Sequence, residues 1–169
     1  MRLITTLLLI LSLPANAATF NISSSCELSF SPRGGVTSMI TRYIKGAQTE
    51  ILVLAYSFTS DAIADALIDA HKRGVSVSVV LDSSQLTSKG SDLERVWVAG
   101  IPTYTDHMHN IMHNKVMIID NKIFETGSFN YSNAAEQYNA ENAIVCKSIQ
   151  GAALYKRNWL LHQSHSIKQ

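Results

Sequence analysis

The sequence predicts a single α/β domain built on a mixed, largely parallel sheet with helices on both faces. The continuous apolar run 51–55 lacks the alternation of a half-exposed strand, as expected for a strand covered on both sides, and 75–81 reads as the next buried strand. Between them lies a segment with apolar residues at helical spacing, and a strand, helix, strand order implies a parallel pair joined by a right-handed crossover. The third observation is length: 169 residues suffice for one substantial core and fall short of two ordinary domains.

The elements follow in order. Met1 and Arg2, the apolar run 3–13, Pro14 and the Ala15-Asn16-Ala17 triplet read as a secretory signal peptide over 1–17, leaving one domain over 18–169. An uncleaved membrane anchor is the alternative, although the run is shorter than the roughly 20 residues a span needs. Residues 26–30 alternate as a short strand, stopped by Pro32 and the Gly34-Gly35 pair. Val36, Met39, Ile40, Tyr43, Ile44 and Ala47 form the apolar face of a helix. Strand 51–55 follows, with 56–59 at its carboxyl end. Ser60 and Asp61 start the next helix, Ile63, Leu67 and Ala70 are its buried stripe, and Lys72, Arg73 and Gly74 close it.

Strand 75–81 ends at Asp82. The Ser/Thr/Gly-rich loop 83–90 suits a substrate rim or a plain surface connection equally well. Lys89 and Arg95 are candidate substrate contacts by position alone, against solvated surface charge. Leu93, Val96 and Trp97 indicate a short helix ended by Gly100, and 101–104 a strand leading to Asp106. Further on, 133–137 reads as helical turns and 143–146 as a strand. Ile149, Ala152, Ala153, Lys156, Trp159 and Leu160 mark a final docked helix.

Charge and cysteines bound the function. Loss of Arg2 with the leader brings the 14 basic side chains level with the 13 acidic ones, so no overall positive charge argues for nucleic acid, and only a local patch could supply one. Export would place Cys26 and Cys146 where a disulfide persists, and the sequence leaves that pairing open against two buried thiols.

The chemistry concentrates in 113–130, which reads HNKVMIIDNKIFETGSFN. As a strand over 113–119 it would place His113, Lys115 and Met117 on one face and Asn114, Val116 and Ile118 on the other. Asp120 and Asn121 then turn a tight hairpin into 122–126. Gly127 permits close approach of backbone to a ligand, and Ser128 and Asn130 add a hydroxyl and an amide two positions apart. Such a set suits an anionic oxyacid.

Six histidines compete for roles. His71 reads as solvent facing near a helix end, and His162 and His165 as incidental residues of a polar tail. His107, His109 and His113, with Asp106 or Asp120, have spacing compatible with a metal site. Against it, Lys115 would set a cation beside the metal, and no carboxylate cluster completes a two-metal centre. A Ser-His-acid hydrolase is disfavoured because Ser57, Ser83 and Ser128 lack a GxSxG context. Phosphoryl chemistry uses every polar group: an imidazole attacks phosphorus while a lysine and amide donors hold the nonbridging oxygens. It also needs a second acid-base group, and no second histidine stands in an equivalent setting.

His113, Lys115 and Asp120 in HxKxxxxD, followed by Gly127, Ser128 and Asn130 in GSxN, resemble the phospholipase D superfamily. SFSPRGG, AYSFTS, VVLD and NAEN extend the likeness over nearly the whole mature chain to the small, secreted, single-motif Nuc-type endonucleases. The resemblance implies a phospholipase D-like fold and a homodimer whose two motif strands meet at one active site. His113 of one subunit would form a phosphohistidine, and His113 of the other would serve as general acid and then base. Lys115 and Asn130 would bind phosphate oxygens with help from Ser128. Glu141 would orient the imidazole, and Asp120, although part of the motif set, would anchor the hairpin. No metal and no cofactor would be required. The implied activity is sequence-nonspecific hydrolysis of DNA, with RNA as a further substrate, in the periplasm or outside the cell and without stable membrane association after leader cleavage. Phospholipid hydrolysis and a non-catalytic nucleic-acid-binding module are the alternatives.

Overall fold

The computed structural model describes residues 25–169, so the leader assigned to 1–17 lies outside the described residues. Among the described residues, eight strands form one sheet in the order β1-β9-β7-β6-β2-β4-β5-β10. In chain order these are β1 (Ser25–Ser31), β2 (Glu50–Ala55), β4 (Ser76–Asp82), β5 (Thr103–Asp106), β6 (Lys115–Ile119), β7 (Ile123–Gly127), β9 (Glu141–Lys147) and β10 (Ile167–Lys168). A two-residue pair, β3 (Phe58–Thr59) with β8 (Tyr131–Ser132), stands apart.

The mixed sheet is as expected, but its balance differs from "largely parallel". Only β2-β4 and β4-β5 are parallel. The other five neighbours pair antiparallel. Part of the reason is local: β6 and β7 are joined by a tight turn, and a tight hairpin can only join antiparallel strands.

Both faces are covered. Val53, Ala55, Val79, Leu81 and Met117 pack with Val36, Ile40 and Ile44 of α1 (Val36–Gly46) and Ile63 and Leu67 of α2 (Asp61–Lys72). Val96 of α3 (Leu93–Val98) joins the same core. On the opposite face Leu52, Leu54, Val80, Val116 and Ile118 pack on Ala152 and Trp159 of α5 (Ile149–His165), and the Trp159 indole N–H donates to the Val53 carbonyl at 2.9 Å. The period-two reading of the motif strand therefore places Met117 against α1 and α2, and Val116 and Ile118 under α5.

The α5 stripe differs from the expected one. Ile149 is 74% and Leu160 48% exposed, whereas Ala152, Trp159 and His162 are buried. The helix has rotated its small and aromatic residues onto the sheet, where Gly151 meets the Phe124 ring so closely that a Cβ would lie 2.3 Å from it. Cys26 and Cys146 oppose each other on β1 and β9 and are joined as a disulfide, which resolves the pairing left open by the sequence. Glu136 of α4 (Asn133–Gln137) accepts from the amides of Gly35 and Thr37, giving the start of α1 a carboxylate that its own sequence lacks.

Candidate active site

Antiparallel pairing gathers the motif at one end of the sheet. Lys115 at the start of β6 opposes Ala55 at the end of β2, and the Tyr56 N–H donates to the Asn114 carbonyl at 2.9 Å. Gly127 at the end of β7 opposes Ala143 near the start of β9. Residues 56, 113–115, 127–130 and 141–142 thus share one edge, while the Asp120-Asn121 turn lies at the other end of β6.

His113 falls just before the strand rather than within it, because β6 begins at Lys115. Its segment is pinned by other groups: Asp82 accepts the Met112 N–H at 2.8 Å, and Asn114 is held through its carbonyl by Tyr56. The imidazole is consequently exposed and rests on Tyr56, with ring centroids 4.7 Å apart. Lys115 is only 5% exposed, donates to the His113 carbonyl at 3.0 Å, and sits 5.2 Å from the Tyr56 ring centroid. Burial draws its pKa below the usual lysine value, partly countered by the negative charge of Glu141.

Across from the lysine, the GSxN segment alternates. Phe129 and Tyr131 are fully buried, which leaves Ser128 and Asn130 on the outer side of the turn. Asn142 grips this turn, since its carbonyl accepts the amides of Ser128 and Phe129 at 3.1 and 3.2 Å and its own amide donates to Ser128 Oγ at 3.1 Å. Gly127 is required here: a Cβ would stand 2.2 Å from the Asn142 carbonyl oxygen. The Asn130 Oδ1 is buried and has no hydrogen-bond partner among the described residues.

Two motif carboxylates sit differently from the imidazole. Among the described residues no hydrogen bond joins Glu141 to His113; Glu141 accepts from Asn139 Nδ2 at 3.3 Å and acts on Lys115 through its charge. Asp120 is at the hairpin, at the opposite end of β6 from Lys115. It and Asn121 both have left-handed backbone, φ 54° and 57°, which supplies the twist of the tight turn between Ile119 and Ile123 without glycine. Its carboxylate accepts the amides of Gln48, Thr49 and Glu50 and the Thr49 hydroxyl at 2.8–3.2 Å. Burial alone would raise its pKa, but these hydrogen bonds prevail and hold it below the ordinary carboxylate value.

The remaining histidines require correction. His107 turns to the Thr105 hydroxyl and His113 to Tyr56, so the HxHxxxH set does not converge. His162 and His165 are not incidental. They join His109 around Asp106, because β10 and the end of α5 fold back against β5. His71 is half-buried beside Gly100 instead of solvent facing. Arg95 is engaged by Asp61, Asp65 and Asp92, which removes it as a free substrate contact. Sequence reading missed Tyr56, whose only signal was its place at a strand's carboxyl end, and Asn142, inside the NAEN segment.

Comparison with known proteins agrees with this geometry. Residues 40–159 match the family described as "Cardiolipin synthase, PLD-like domain". The chain belongs to the phospholipase D superfamily. It is 40% identical over 157 residues to a protein named phospholipase D from Rickettsia bellii, covering 90% of this chain and 78% of that one. The crystal structure of Nuc, a phospholipase D family member from Salmonella typhimurium, superposes with a TM-score of 0.84 at 36% identity, over 87% of this chain and 99% of that one. A Chlamydomonas reinhardtii protein named mitochondrial cardiolipin hydrolase is 32% identical over 120 residues, covering 71% of this chain and 53% of the other. This is a phosphodiesterase of that superfamily with one copy of the motif. Among the described residues, no helix is long and apolar enough to cross a membrane.

Proposed function

We propose that this phosphodiesterase is a metal-independent endonuclease that hydrolyses DNA, with RNA as a second substrate, through a phosphohistidine formed in a homodimeric site. The observation that carries the mechanism is the asymmetry of one protomer. An exposed imidazole, His113, lies two residues from the buried Lys115, and among the described residues no hydrogen bond joins it to a second acid-base group. His113 of one copy attacks phosphorus; a P–N bond forms, the P–O bond to the leaving oxygen breaks, and His113 of the second copy protonates that oxygen. The second imidazole then takes a proton from water, whose oxygen displaces the first. Lys115, Ser128 and Asn130 hold the nonbridging oxygens as charge develops. Glu141 supports Lys115 electrostatically and orients an imidazole once the two copies meet.

The nuclease assignment rests on the near full-length likeness to Nuc. Phospholipid hydrolysis is the second reading, favoured by the relatives named phospholipase D and cardiolipin hydrolase. An exported location, periplasmic or secreted, is supported by the Cys26-Cys146 disulfide and by the leader-like residues 1–17.

Purified protein incubated with plasmid DNA in excess chelator should nick and degrade it, and parallel assays on RNA and phosphatidylcholine vesicles rank the substrates. Turnover of the lipid alone would replace the nuclease reading. His113→Ala should abolish cleavage with unchanged circular dichroism. Sedimentation should show a dimer, and an active monomer would refute the shared site.

A further inference from the structure

We propose that Asp106, His109, His162 and His165 form a binding site for a zinc-class divalent metal ion, distinct from the phosphodiester chemistry and structural in role. Three imidazole nitrogens converge on one carboxylate oxygen. His109 Nδ1, His162 Nδ1 and His165 Nε2 lie 3.0, 2.8 and 3.1 Å from Asp106 Oδ2, and one ligand atom from each residue lies within 4.8 Å of every other. The three rings are mutually tilted, with centroids 5.0–5.5 Å apart, so their nitrogens meet without stacking. A tetrahedral zinc site with bonds of about 2.0–2.1 Å sets its ligand atoms about 3.4 Å apart. To admit an ion among the four donors, the Asp106 oxygen would retreat by about 0.3–0.6 Å and the imidazole nitrogens, now up to 4.8 Å apart, would close in towards that spacing.

The frame around the cluster fits this role. Asp106 is fully buried at the end of β5, and its other oxygen accepts the Met108 N–H at 2.9 Å, which fixes the carboxylate plane. His162 and His165 are one turn apart on α5 and share a face. His109 comes from the loop before the motif and is 44% exposed at its side chain, leaving an entry path. Three imidazoles and one carboxylate are too nitrogen-rich for calcium or magnesium and suit zinc, cobalt or nickel. Four protein ligands fill a tetrahedral shell, the mark of a structural site. Such an ion would clamp the end of α5 to the loop 107–114, and the contact of His162 Nε2 with Asn114 Nδ2 at 3.4 Å carries that clamp to the residue between His113 and Lys115.

The test uses the intact chain, stripped with chelator, dialysed and titrated with zinc or cobalt. We expect one zinc per chain by elemental analysis, a visible tetrahedral spectrum with cobalt, and a rise in melting temperature on zinc addition. His165→Ala should weaken uptake by at least about 100-fold and remove the cobalt spectrum, while His113→Ala should bind zinc as the parent does. The stripped parent also competes directly with a chromogenic chelator, so the result does not depend on a variant folding. Failure of the parent to take up zinc or cobalt, uptake unchanged in His165→Ala, or loss of uptake in His113→Ala would each overturn the proposal. Cleavage in excess chelator is read separately, because the phosphohistidine route needs no metal.

Discussion

Glu125 is the most consequential buried charge outside the motif. It is 1% exposed on β7, accepts a short hydrogen bond from the Tyr131 hydroxyl at Oε2, and leaves Oε1 without a partner among the described residues. The pair brackets the Gly127-Ser128-Asn130 turn, one member on each side of it, so it staples that segment to the core. Burial pushes the Glu125 carboxyl up to about 8, against the lowering effect of the Tyr131 hydrogen bond, from an ordinary value of 4.5. A raised folded-state pKa means that the native protein holds a proton the unfolded chain releases. The associated stability is complete below pH 4.5 and lost as pH climbs towards 8. A shift of about 3.5 units at about 1.36 kcal/mol each amounts to a loss on the order of 5 kcal/mol across that window. Glu125→Gln keeps a neutral acceptor for Tyr131 and should flatten the curve, becoming the more stable protein at high pH. Urea unfolding of both proteins from pH 5 to 9 measures this directly. The difference between them isolates Glu125, since both share every other titrating group. Parallel pH curves would refute the reasoning.

Two substitutions separate anchoring from chemistry within the motif. Asp120→Ala orphans three backbone amides and places alanine in left-handed backbone, so stability should fall by about 2–4 kcal/mol, with kcat near wild type at a permissive temperature. Asp120→Asn should lose less, because asparagine tolerates that backbone; calorimetry and initial rates distinguish the cases. Lys115→Met removes the buried ammonium with little change in volume and should lower kcat about 100- to 1,000-fold while leaving melting nearly unchanged.

Much of this was legible in the chain. Runs 51–55 and 75–81 became central strands, the helical stripes of α1 and α2 lie in the core, and the Asp120-Asn121 hairpin turns where its residue types require. These features depend on local periodicity and turn chemistry. The sheet is less parallel than its hydrophobic runs suggest, because such runs report burial on two faces and not strand direction. His113 lies outside the strand that alternation predicts for it, because Asp82 and Tyr56, both distant in sequence, hold the backbone of its neighbours Met112 and Asn114.

The sequence by itself brought the proposed reacting groups together: His113, Lys115, Ser128 and Asn130 sit within one short stretch, and their chemistry admits few readings. Tertiary structure decided how those groups are held and which others join them. Tyr56 beneath the imidazole, Asn142 behind the turn, and the Asp106 cluster with His162 and His165 are contacts between segments 14 to 59 residues apart. A histidine in a polar tail carries no signal of its own until the end of α5 returns it to a buried carboxylate, because convergence of side chains is set by sheet order and helix packing rather than by spacing along the chain.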